Sequence, residues 1–170
     1  MTPPRVRPPV DGDERAQLVG WLDLQRAIVP WKCEGVSAAD AHRPVLPSSP
    51  RMTMAGVVSH LRWTEHCWFE VLFSGAPTTG NPQFDESRPG ADMQVDDVSL
   101  EQLLAEYAAQ CARSNEIVAT AALDATCRNE EHCAGAHLRW VLTHMVEETA
   151  RHVGHLDAIR ELVDGRRGYW

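Results

Sequence analysis

The chain has 170 residues, enough for one domain with a substantial core, and its 44% hydrophobic and 24% charged content is that of an ordinary globular protein. A net charge of −8 argues against a general nucleic-acid binder, which needs a basic footprint, and equally against docking on anionic membrane surfaces. No apolar run approaches the roughly 20 residues of a membrane span, and the start, MTPPRVRPPVDGDE, lacks the apolar segment of a secretory signal. Five cysteines (Cys33, Cys67, Cys111, Cys127 and Cys133), odd in number and without C-x-x-C spacing, read as free thiols in a reducing cytoplasm.

Residues 1–11 read as a mobile Pro-rich tail, and 12–170 as a single domain. A first helix is expected from about Asp13 to Val29, where Leu18, Trp21, Leu22, Leu24 and Ile28 recur at helical spacing and Pro30 stops it. Three prolines in GVSAADAHRPVLPSSPRMT leave room for no more than one helical turn, starting at Ser37. The second helix is the clearest: Thr53 caps it, and MAGVVSHLRWTEHCWFEVLF carries it to Gly75. A long Gly-, Pro- and Asp-rich connection over 75–98 follows, and loops of that length are usually functional or mobile. Ser99 and Gln102 form a capping box for a third helix, which presents Leu100, Leu103, Leu104, Tyr107 and Cys111 on one face and ends near Leu123. DATCRNEEHCAGA leads to a fourth helix from about His137 to Asp164, terminated by Gly165. No segment alternates with period two, so the fold class is all-α, a four-helix bundle.

The fourth helix carries the chemically informative pattern. At 100° per residue, Glu148 and His155 differ by about 20° around the axis, and Glu148 and His152 by about 40°. All three therefore share the apolar stripe of Val141, Met145, Ile159 and Leu162. On the second helix His60 shares a stripe with Val57, Cys67 and Val71 and points inward, whereas His66 falls with Ser59, Arg62 and Glu70 and reads as a surface residue. An unpaired ionised Glu in a core costs several kcal/mol. Two imidazoles and a carboxylate converging there are stable around a divalent metal, and two His, one carboxylate and an open position is a known catalytic zinc arrangement. The competing reading is a set of hydrogen-bonded core side chains. Glu148 and His152 are neighbours on one helix surface, but His155 competes with His152 on angle alone. His144 lies about 12 Å from His152 along the axis, so both cannot bind one ion whose ligand nitrogens sit about 2 Å from it.

Other constellations are weaker. Glu130, Glu131, His132, Cys133 and His137 make a ligand-rich loop without a standard zinc spacing, read as a solvated turn. The two-iron bundle pattern needs Glu-x-x-His on two helices, which the chain lacks. There is no G-x-S-x-G, P-loop or G-x-G-x-x-G. Trp63, Trp68 and Trp140 lie near enough to His60 or the fourth helix to line a cleft.

VVSHLRWTEHCWFEVLF, paired with HMVEETARHVGHLDAIRELVDG, resembles the DinB-like superfamily in its actinobacterial branch related to mycothiol-dependent enzymes. LVGWLDLQRAIVPWKCEGVSAAD matches as well, so the resemblance spans about 13–168. It implies a DinB-like four-helix bundle, usually a homodimer, binding a metal through one His of the second helix, here His60, and two residues four apart on the last. That pair is commonly His and His; here it falls on Glu148 and His152, and Glu in the first position also occurs in zinc-binding mycothiol-dependent maleylpyruvate isomerases. The isomerases carry a further C-terminal domain that this chain lacks, so the resemblance favours thiol S-transfer. The implied cofactor is a divalent metal, zinc before nickel, with a low-molecular-weight thiol such as mycothiol as co-substrate and a small electrophile as partner. The resemblance also leaves open a metal-dependent hydrolase or a non-catalytic, stress-associated scaffold.

Overall fold

Asp13 opens the first helix by accepting the Ala16 amide on Oδ1 at 2.8 Å, and α1 runs Glu14–Cys33. Here the structure, a computed structural model that describes residues 4–168, departs from the expected stop at Pro30. Pro30 has no N–H to offer the Arg26 carbonyl, but only one turn remains beyond it, so the loss stays local. That turn is secured from the facing helix: Arg160 Nη1 donates to the carbonyls of Lys32 at 2.6 Å and Glu34 at 2.9 Å, while Val29 and Cys33 are buried. Trp21, expected on the apolar face, is instead 40% exposed, because Leu22 and Leu24 take the core positions. The Pro-rich start lies along α1 from Pro4 onward. Pro8 is buried there, and the Arg5 guanidinium sits 3.8 Å above the Trp31 ring; residues 1–3 of that segment fall outside the described residues.

Ser37 caps the one-turn α2, Ala38–Ala41, as expected. Thr53 accepts the Gly56 amide at 3.0 Å and starts α3, Met54–Glu65. Past Glu65 the helix widens into a π-helical segment, His66–Phe73, illustrated by the Ser74 amide donating to the Phe69 carbonyl five residues back. This changes the angular step, so a stripe drawn at 100° per residue does not carry through: Val71 is buried but Cys67 only half-buried. Gly75, at φ +77°, ends the helix where a side chain would be strained. The 75–98 connection is ordered against α3 by two 3-10 turns, Pro82–Phe84 and Ala91–Met93, and Ser59 Oγ donates to the Asp92 carbonyl at 2.6 Å.

Ser99 caps α4, Leu100–Thr120, but only half of the capping box forms, since Gln102 Nε2 donates to Glu106 instead. A second one-turn helix, α5 (Glu130–Cys133), sits in the link to α6, Leu138–Asp164, which closes at Gly165 with φ +76°. Leu162 is 55% exposed, because the inward stripe drifts off the core in the last turn. Among the described residues there is no strand, only an isolated bridge between Thr126 and His137, and no helix is long and apolar enough to cross a membrane.

α1 lies along α6, and α3 packs against both α4 and α6. Leu24, Met54, Val58, Leu61, Leu156 and Ile159 fill one end of the interior, and Leu22, Phe69, Leu138, Leu142 and Met145 the other. Arg26, 6% exposed, reaches across to Glu65, 1% exposed, through a bidentate contact of 2.7 and 2.6 Å. α1 and α4 touch only lightly. Between them lies a cleft of about 730 Å³ lined by residues that include Arg26, Cys33, Leu104, Tyr107 and Cys111.

Candidate metal centre

α3 and α6 pack so that His60 meets Glu148 and His152, which stand one turn apart on α6. One ligand atom from each lies within 4.8 Å of the others. Glu148 Oε1 is 3.2 Å from His60 Nε2 and 3.2 Å from His152 Nε2, and the two imidazole centroids are 4.4 Å apart. Donors around a tetrahedral zinc stand about 3.4 Å from one another, which follows from bonds of about 2.0–2.1 Å. Both distances from Glu148 Oε1, 3.2 Å each, are already close to that spacing. Side-chain exposures of 17% for His60, 13% for Glu148 and 9% for His152 leave the group sheltered yet reachable from solvent.

The orientation of His60 is settled by a residue that periodicity did not single out. His60 Nδ1 lies 2.6 Å from Asp92 Oδ2, and a carboxylate only accepts, so Nδ1 carries the proton. Asp92 is itself 6% exposed, and Gln83 Nε2 donates to it at 3.1 Å and to Thr64 Oγ1 at 3.0 Å. In the neutral imidazole Nε2 then turns a lone pair toward the Glu148 carboxylate at 3.2 Å. Two electron-rich atoms face each other, and the arrangement is favourable only with a positive body between them, either a proton or a metal cation. Carboxylate to histidine to metal is the pattern by which outer carboxylates fix a ligating ring.

The electrostatics agree. Burial opposes a charge on His60, but hydrogen bonds to Asp92 and Glu148 outweigh it and push the imidazole up to about 9. Hydrogen bonds from His152 and His60 hold the Glu148 carboxyl far below the usual range against the opposing effect of burial. Asp92 is also lowered: burial works against this, and the bonds from His60 and Gln83 prevail. The site is thus two carboxylates and two imidazoles arranged for positive charge.

His155 stands outside the cluster, its Nδ1 3.3 Å from His152 Nδ1 on the side away from Glu148. Burial and the nearby His152 lower its pKa. His144 packs on Trp68 and Trp140, with ring centroids 4.4 and 5.4 Å away, and is not part of the cluster. Trp63 packs edge-on against His66, whereas Trp68 and Trp140 pack on each other, 5.4 Å between centroids. His66, expected at the surface, is half-buried because Asn81 folds over it and donates to its Nδ1 at 3.1 Å. In the 130–137 loop His132 packs on Phe84, 5.5 Å between centroids, and among the described residues it joins no metal-type cluster.

An all-α bundle with this His–Glu–His group between its second and last long helices is of the DinB-like class, in a branch related to mycothiol-dependent enzymes. The chain matches the family described as mycothiol-S-transferase over residues 17–165, and it belongs to that family. No curated protein and no solved structure matches it.

Proposed function

We propose that the protein is a divalent-metal-dependent thiol S-transferase in which His60, Glu148 and His152 hold the metal, with zinc the best fit to the donor set. The observation that carries this reading is His60 Nε2, turned by Asp92 toward a Glu148 carboxylate that also meets His152. Two nitrogens and one oxygen suit zinc, and three protein ligands leave a position for an exchangeable molecule. A bound divalent cation deprotonates a coordinated thiol at neutral pH, and the thiolate is the nucleophile. Asp92 holds the His60 ring so that Nε2 faces the cluster, and Gln83, which also donates to Thr64, braces Asp92 in turn. The co-substrate is a low-molecular-weight thiol, mycothiol by family membership, and the acceptor a small electrophile.

Incubating zinc-loaded protein with mycothiol and a panel of electrophiles, with conjugates read by mass spectrometry, tests this directly. Conjugate formation above the uncatalysed rate, lost in Glu148→Ala, is the expected result. No conjugate from any electrophile with metal-loaded wild type overturns it.

The support given by Asp92 is separately measurable. Asp92→Asn keeps the size and most of the hydrogen bonds but removes the charge, and zinc affinity is expected to fall about 10–100-fold with the fold intact. An unchanged affinity by competition with a chromogenic chelator means Asp92 is structural only.

A further inference from the structure

Cys127 and Cys133 lie six residues apart in the connection between α4 and α6, each almost fully buried, at 6% and 7% exposure. Their sulfurs are 2.7 Å apart, with one thiol directed at the other. A disulfide needs about 2.05 Å, so the two sulfurs are already near bonding separation. The backbone around them is anchored on both sides. The Cys127 amide donates to the Ala136 carbonyl at 2.8 Å, the Cys133 amide to Asn129 at 3.1 Å, and the Ala136 amide back to Cys133 at 3.2 Å. Arg128 and Asn129 are in turn tied to the Phe73 and Leu72 carbonyls at the end of the π-helical segment. The chain path, not chance contact of mobile loops, holds the thiols face to face.

We propose that Cys127 and Cys133 are a redox-active dithiol that reacts with low-molecular-weight disulfides, separately from the His60–Glu148–His152 centre. The thiolate of one cysteine attacks a sulfur of the small disulfide, forming a mixed disulfide and expelling one small thiolate, which takes up the proton given up by the cysteine. The second cysteine, deprotonated in turn, attacks the protein sulfur of the mixed disulfide and expels the other small thiol. The two cysteines are oxidised by two electrons, the small disulfide is reduced to two thiols, and excess small thiol reverses both steps. Burial and the shared hydrogen bond push the Cys127 thiol up to about 12, so that thiol is a slow nucleophile, and proximity of the resolving sulfur drives the second step. Cys67, half-buried and close enough to Cys133 to feel its charge, is the competing sulfur.

The test uses the full chain, reduced and then incubated with glutathione disulfide, acid-quenched and alkylated under denaturing conditions. The five thiols of the reduced protein are expected to fall to three, with a Cys127–Cys133 cross-linked peptide in the mass map. Cys127→Ala is expected to trap glutathione on Cys133 without closing a ring, and Cys67→Ala to behave as wild type. Five alkylated thiols in treated wild type, or a cross-link that maps to Cys67, overturns the assignment.

Discussion

Replacing His60, Glu148 or His152 by alanine is expected to reduce bound metal from about one ion per chain to near zero, while His155→Ala keeps it. Each of the three contributes one of three protein ligands in the proposed site, and losing one leaves two, too few to hold zinc against water. His155 faces His152 Nδ1 at 3.3 Å from outside the cluster, so its loss removes a neighbour rather than a ligand. Elemental analysis of the four variants, purified without chelator and then offered zinc, reads this directly. Retention in Glu148→Ala, or loss in His155→Ala, breaks the assignment. Proton competition gives a second readout. In the metal-free protein His60 titrates at about 9, raised by Asp92 and Glu148, so near neutrality it carries a proton on Nε2 that must leave before that nitrogen binds a cation. Zinc affinity should therefore strengthen about tenfold per pH unit between 7 and 9 and level off above. An affinity flat across that window means the ring is neutral before binding.

Glu65→Ala is expected to destabilise the fold by about 3–5 kcal/mol, because it strands the Arg26 charge in the interior. Burial opposes charge on Arg26, but Glu65 outweighs it and holds the guanidinium protonated through the bidentate contact. Asp23 and Asn115 also accept from Arg26 Nη1, at 2.9 and 2.7 Å, yet both sit at the exposed edge and cannot replace a buried partner. For a chain of this size the loss corresponds to a melting midpoint lowered by about 10 °C or more. Replacing both partners with apolar residues, as Arg26→Met with Glu65→Leu, removes the stranded charge and should recover most of the stability. If the single variant unfolds no earlier than wild type in urea, or the pair is no better than the single, the burial of this ion pair is not what holds α1 to α3.

The architecture was legible because its signals are local. Ser37, Thr53 and Ser99 cap helices by accepting from amides three residues on, and Gly165 stops one by adopting positive φ; each acts within a few residues of itself. Inward placement of His60, Glu148 and His152 follows from a regular 100° step over helices α3 and α6, which remain α-helical at those positions. Where the step changes, the reading fails, as at the π-helical segment after Glu65 that leaves Cys67 half-buried. Local rules also misjudge Pro30. Its missing amide argues for a stop, and the helix passes it only because Arg160, 130 residues later, bonds the carbonyls beyond.

What the sequence alone determined was four long helices, their caps, and one acid with two imidazoles turned into the interior. Tertiary structure decided which of these meet. His152 and His155 share a stripe, and only the placement of α3 against α6 sets His60 beside the first and leaves the second outside. It also decided what supports the site, since Asp92 comes from an irregular connection with no period to reveal a direction, and its carboxylate is defined by the fold of that loop back onto α3. The same holds for Cys127 and Cys133, whose spacing matches no motif and whose sulfurs are brought together by a turn held on Phe73 and Ala136. Helical order is written in neighbouring residues, whereas a site built from distant ones exists only once the chain has closed.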